Sequence, residues 1–219
     1  MIRDLGYETE GHAEFVKDLF PKDFKGVCVD IGAHDPLWIN NSWIFERSGW
    51  DTYCIEPNPH CIPKLKQYRK HVIEYAVSDK NEDGVDFFIW KIPNDYAGTW
   101  GEASESGLID KPFMNNKFET RIQVNVRTFE WLMENEIKQN HIDFLTIDVE
   151  GSEMKVLSTL DINKWKPVVV VIENYHKESE QRTWFEERGY TFVKRIHLND
   201  IYVDKEGMEK CLSASQPSI

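Results

Sequence analysis

The sequence predicts an α/β fold: a mostly parallel sheet with helices on both faces, closed by a C-terminal antiparallel hairpin. Three observations predict it. Short apolar runs alternate with helical stretches along most of the chain, the order that builds a parallel sheet between helical layers. Val168–Ile172 is an unbroken run of β-branched residues ending in Glu173, as suits a central strand buried on both faces. Other strand-like runs also end in acids, at Asp30, Glu56 and Asp148, on the sheet edge where doubly wound folds bind their ligands.

Each element follows from local signals. A helix is expected over His12–Phe20, stopped by Pro21, within an N-terminal extension covering residues 1–25. Val27–Ile31 is the first strand, and Asn41–Ser48 a helix that Gly49 ends. Asp51–Glu56 is the second strand. Asn58 then caps a helix with Pro59 at its first position, running to about Lys70. Val72–Val77 is the third strand. The alternation breaks at Val85–Trp90 and Arg121–Val126, two strands separated by a long loop. A loop of this length suggests function, and 92–120 is expected to be a substrate loop or lid, with Tyr96, Trp100 and Phe113 as stacking surfaces. Thr128 caps the next helix. Ile142–Asp148 is a parallel strand, Gly151–Leu160 its helix, and Glu178–Arg188 the helix after the valine strand. Tyr190–His197 and Ile201–Asp204 form the closing hairpin, turning at Asn199-Asp200.

At 219 residues with 41% hydrophobic and 29% charged residues, the chain reads as one globular domain, 1–219. No apolar run spans a bilayer, and Met1–Asp4 lacks a signal-peptide core, so a cytoplasmic location is expected. The net charge of -12 argues against nucleic acid as the main partner. Lys64, Lys66, Arg69 and Lys70 follow helical spacing and read as a solvated face. The cysteines Cys28, Cys54, Cys61 and Cys211 form no C-x-x-C pair, which leaves zinc and dithiol chemistry without support.

The strand ends carry the chemistry. Asp30-Ile31-Gly32-Ala33-His34 is no G-x-G-x-x-G fingerprint, so a pyrophosphate cradle, and with it a nicotinamide dehydrogenase, is poorly supported. A glycine at this turn admits a ligand close to the backbone, and Asp30 can face an ammonium group; a plain strand-end turn explains the segment equally well. Glu56-Pro57 follows Gly32 by roughly 20 residues, the usual place of a ribose-hydroxyl acceptor. Ser78 and Asp79 stand where an adenine edge could be met. Asp148, Glu150 and Glu153 crowd one strand–helix junction, which is costly unless compensated. Glu153 suits the helix N-terminus, which leaves Asp148 and Glu150 for the cleft. Glu173, Asn174 and His176 add an acid, an amide and an imidazole to the same rim.

Together Val29–Ala33, Ile55–Asn58, Ala76–Ser78, Asp143–Glu153 and Val170–Glu173 resemble the FkbM-type methyltransferases, with Ile147–Glu153 the most specific stretch. The resemblance spans roughly Gly26 to Arg195. It departs at His34-Asp35-Pro36, where the family pattern ends in a glycine. It implies a Rossmann-like class I methyltransferase fold and S-adenosylmethionine as cofactor. Asp30, Gly32, Ala33, His34, Glu56, Pro57, Ser78, Asp79 and Asp148 are then the candidate cofactor contacts. The implied reaction is O-methylation of a sugar or other small-molecule hydroxyl, free or nucleotide- or lipid-linked.

Methyl transfer to a hydroxyl needs alignment and a proton acceptor. One route uses Mg²⁺ on Asp148, Glu173 and Asn174, resembling the Asp/Asp-Asn site of catechol-type O-methyltransferases. The other is metal-free, with Asp148, Glu150 or His176 as catalytic groups and His34 as a further imidazole. Two alternatives remain: an N-methyltransferase acting on an amino sugar or small amine, and a non-catalytic nucleotide-binding module on the same fold. The sequence is compatible with a homo-oligomer.

Overall fold

The computed structural model describes residues 11–37, 40–90, 106–108 and 118–214. Seven strands form the main sheet: β1 (Val27–Ile31), β2 (Asp51–Ile55), β3 (His71–Ile73), β7 (Phe144–Ile147), β8 (Val169–Glu173), β9 (Thr191–Ile196) and β10 (Asn199–Val203). Their spatial order is β3-β2-β1-β7-β8-β10-β9, parallel throughout except for β10, which pairs antiparallel with both neighbours. The expected fold class is the one adopted.

Period-2 alternation divides the strands between two apolar layers. Val29, Ile31, Leu145, Ile147, Val170 and Ile172 face one layer, which holds Phe129, Leu132, Val156, Leu157 and Phe185. Cys28, Phe144, Val169 and Val171 face the other, with Ala13, Val16, Phe20, Phe45 and Trp50. The second layer is covered by α1 (His12–Leu19) and α2 (Trp43–Arg47). The first is covered by α4 (Phe129–Leu132), α5 (Glu153–Ser158), α6 (Ile162–Trp165) and α7 (Ser179–Glu186). Thr128 caps α4, its side chain accepting from the Trp131 N–H at 3.2 Å. The helix continues as a π-helical turn, Met133–Ile137. A closing helix, α8 (Lys205–Ala214), has no counterpart in the sequence reading.

Three boundaries differ from expectation. The run Val72–Val77 is two strands: β3 ends at Ile73, and β4 (Ala76–Val77) leaves for a separate sheet. There it pairs in parallel with β6 (Phe118–Arg127), which pairs antiparallel with β5 (Glu82–Trp90). Asn58 caps a turn, accepting from the His60 N–H at 3.0 Å, and the helix α3 (Ile62–Tyr68) begins four residues later, with Pro63 in its first turn. The closing hairpin turns at His197-Leu198, and Asn199 and Asp200 already belong to β10.

Among the described residues no helix is long and apolar enough to cross a membrane.

Candidate active site

The carboxyl ends of β1, β2, β7 and β8 meet on one edge of the sheet and bring Asp30, Glu56, Asp148 and Glu173 to it. The turn after β1 is fixed by sterics. Gly32 has φ +88°, and a Cβ there would lie 1.8 Å from the Asp148 carbonyl oxygen. Only glycine permits that approach. The turn is stitched to β2, because Gly32 and Ala33 both donate their N–H to the Ile55 carbonyl, at 2.9 and 3.1 Å. The next N–H, of His34, donates to Glu56 Oε2 at 2.8 Å, and the Asn58 N–H to Oε1 at 2.8 Å.

Glu56 is thus held rigidly at the end of β2 and buried. Burial pushes its carboxyl up to about 7, against the pull of the two N–H donors, and the charge of Asp30 raises it further. Each oxygen has spent one lone pair on the backbone and keeps another for a hydroxyl donor. Beside it opens a cleft of about 380 Å³, open solvent included. Gly32, Glu56, Pro57 and Asp148 line it, together with the apolar side chains of Tyr75, Val77, Phe87 and Leu108. Gly107 also lines it, its backbone exchanging two hydrogen bonds with Phe88, at 2.9 and 3.1 Å. It packs on Glu150, whose Cβ would lie 3.4 Å from an added Cβ.

From Asp148 in the cleft wall the acids continue: oxygens of Asp148, Glu150 and Glu173 all lie within 4.8 Å of one another. Burial raises the Asp148 carboxyl well above the carboxylate range, and the charges of Glu173, Glu150, Glu153 and Asp30 add to it. Glu150 sits at φ +58°, a left-handed conformation that costs a non-glycine residue strain. Glu153 Oε1 holds this turn, accepting from the N–H groups of Val149 and Gly151 at 3.2 and 3.0 Å. Three carboxylates this close need a proton or a cation between them.

Other candidates lie elsewhere. Asn174, expected among the metal ligands, is buried, with its amide hydrogen-bonded on both sides. Its Nδ2 donates to the Glu178 carbonyl at 3.0 Å and to Asp200 Oδ2 at 2.9 Å, and its Oδ1 accepts from the Glu178 N–H at 2.8 Å. Glu150, expected as a catalytic group, is the acid that joins Asp148 and Glu173 in the cluster. Asp30 is buried toward the α1 face, where it accepts from the Ser42 hydroxyl; burial raises its carboxyl, and Arg69 and Ser42 oppose the rise. Ala33 packs its methyl with Cys54, Ile62 and Leu65. His34 is half-buried at φ +43°. Ser78 is buried, its N–H on the Arg127 carbonyl at 3.1 Å and its hydroxyl on exposed Asp79. His176 is exposed and meets the Tyr175 ring edge-on at 5.0 Å. Tyr96, Trp100 and Phe113 lie outside the described residues.

Sequence reasoning missed Tyr75, Phe87 and Leu108. Tyr75 directly precedes Ala76-Val77, and an aromatic residue next to the strand end expected to meet the adenine edge is the signal that was there to be read.

A parallel sheet of this order, with a glycine turn under a fixed carboxylate and an apolar slot beside it, defines a Rossmann-like α/β protein with a ligand cleft on its carboxyl edge. The chain belongs to the FkbM methyltransferase family, whose methyltransferase FkbM domain matches residues 30–192. Among solved structures, it is similar to methyltransferase FkbM from Methylobacillus flagellatus KT, with 15% identity and a TM-score of 0.49. That similarity covers 87% of this chain and 50% of the other, so the chain spans about half that protein's length. It is also similar to precorrin-6y C5,15-methyltransferase from Geobacter metallireducens GS-15, with 11% identity and a TM-score of 0.42, over 93% of this chain and 90% of the other. No curated protein matches the chain.

Proposed function

We propose that the chain transfers a methyl group from S-adenosylmethionine to a hydroxyl of a sugar or another small molecule. The observation that carries this reading is a single cleft joining the Gly32 turn, the carboxylate of Glu56 and Asp148. The residues fit the cofactor. Glu56 has a lone pair for each ribose hydroxyl, and Tyr75, Val77 and Phe87 supply apolar walls for a planar base. When bound, the cofactor supplies an electrophilic methyl on its sulfonium.

The chain's own residues do the rest. The Gly32 turn and Glu56 orient the donor. The carboxylate trio of Asp148, Glu150 and Glu173, gathered within 4.8 Å, takes the acceptor's proton. The same trio offers oxygen ligands alone, the set that Mg²⁺ takes, and a cation there would stabilise the developing alkoxide. Tyr175, 54% exposed beside Glu173, gives a sugar face a ring to stack on.

Calorimetric titration tests the cofactor. S-adenosylmethionine and S-adenosylhomocysteine should bind, NAD should not, and Glu56→Ala should abolish binding. Absence of adenosyl binding by the wild-type chain overturns the proposal. Methyl transfer to a panel of sugars, run with Mg²⁺ and with chelator, then separates the routes: activity that survives exhaustive chelation assigns the trio to proton transfer alone.

A further inference from the structure

We infer that Arg127, outside the cleft, is a positioning residue for the cofactor's base and acts through Tyr75; this rests on the cofactor reading above. Tyr75 lines the cleft, yet it lies on the two-residue crossover between β3 in the main sheet and β4 in the small one. No strand pairing therefore fixes its backbone, and the ring's orientation depends on its side-chain neighbours.

Those neighbours form a stack. The Arg127 guanidinium lies 4.8 Å from the Tyr75 ring centroid and 5.0 Å from that of Trp131. The two rings meet edge-on at 5.4 Å and 73°. Both contacts are within cation–π range, and the ring pair has the preferred T-shaped geometry. The guanidinium is oriented from behind: Nη1 donates to the Val126 carbonyl at 2.7 Å, and Nη2 pairs with Asp83 at 2.7 Å. Arg127 ends β6, where it is the register partner of Val77, itself a cleft residue. Trp131 stands on α4. One guanidinium thus ties the crossover, the small sheet and a helix of the main layer together at the wall where the base would lie. A planar cation suits this place better than lysine, whose ammonium is a point charge without a stacking face.

The test is a double-mutant cycle on S-adenosylhomocysteine affinity, measured by calorimetry. Arg127→Ala is expected to weaken binding about tenfold, and Arg127→Lys to recover part of the loss. Tyr75→Ala should weaken it at least as much, and the double variant no further than Tyr75→Ala alone. Wild-type affinity in Arg127→Ala, or losses that add in the double variant, overturns the inference. Thermal unfolding accompanies each variant, and Arg127→Gln, which keeps hydrogen-bonding capacity, replaces Arg127→Ala if the latter is unfolded at the assay temperature. A wild-type chain that does not bind the ligand overturns the cofactor reading and this inference together. A wild-type chain that binds, with unchanged variants, overturns this inference alone.

Discussion

Gly32 allows the β1 turn to pass under Asp148 without displacing β7. Gly32→Ala would drive a methyl to 1.8 Å from the Asp148 carbonyl oxygen, at a φ of +88° that alanine also resists. The expected cost is roughly 3 kcal/mol or more, read by chemical denaturation, with loss of cofactor binding in whatever folds. A variant of wild-type stability would show that the turn moves freely. Asn174 makes the opposite case. As a metal ligand its loss would leave stability unchanged. As the hub found here, with its side chain tying Glu178 and Asp200, Asn174→Ala should cost roughly 2–4 kcal/mol. Glu173-Asn174 was legible as a pair on the rim, but adjacent strand residues point to opposite faces. An amide beside an acid reads the same whether it faces a ligand or the core.

At the scale of elements, the same ambiguity hid a buried ionic network. Lys64, Lys66, Arg69 and Lys70 read as one solvated helix face, and three of them are exposed. The Arg69 side chain, however, is 0% exposed. It pairs with Glu46 at 2.6 Å and donates to Asn40 Oδ1 at 3.0 Å and Ser42 Oγ at 2.7 Å. Ser42 in turn donates to Asp30, so the guanidinium joins the end of α3 to α2 and to β1, just before the Gly32 turn. Arg69 sits where α3 ends, with an extended backbone, so helical spacing no longer predicts its direction. Arg69→Ala leaves Asp30 and Glu46 as uncompensated acids, and breaking such a buried pair costs about 3–5 kcal/mol. Lys64→Ala, on the exposed part of the same helix, should change stability by less than about 1 kcal/mol. Equal effects in the two variants would remove the network. The central strands were readable because burial on both faces leaves only apolar residues to choose from. The break between β3 and β4 was not, since Glu74-Tyr75 interrupts an otherwise strand-like run without a glycine or proline to mark it.

Over the whole molecule, Glu56 links stability, pH and ligand. Its folded carboxyl lies at about 7 and its ordinary value is 4.5, so the folded chain holds a proton that the unfolded chain has already released. The stability that Glu56 contributes is therefore fully present below its ordinary value of 4.5 and is lost as pH rises through 7. Between pH 6 and pH 8 the loss is about 1.3 kcal/mol, a fall in Tm of roughly 3–5 °C for a chain of this size. Asp148 is raised in the same direction, so the share due to Glu56 is the part that Glu56→Gln removes. A ligand that donates hydroxyls to Glu56 needs the ionised form, and its affinity must rise over the same interval, about tenfold from pH 6 to pH 8. At saturation the two trends oppose each other. Free protein should lose Tm with rising pH, while protein saturated with S-adenosylhomocysteine should lose less, by the amount that Glu56 contributes. Glu56→Gln should abolish that difference. Parallel pH profiles for free and saturated wild-type protein would mean that the ligand does not touch Glu56, and the ribose contact would have to be sought elsewhere along the cleft.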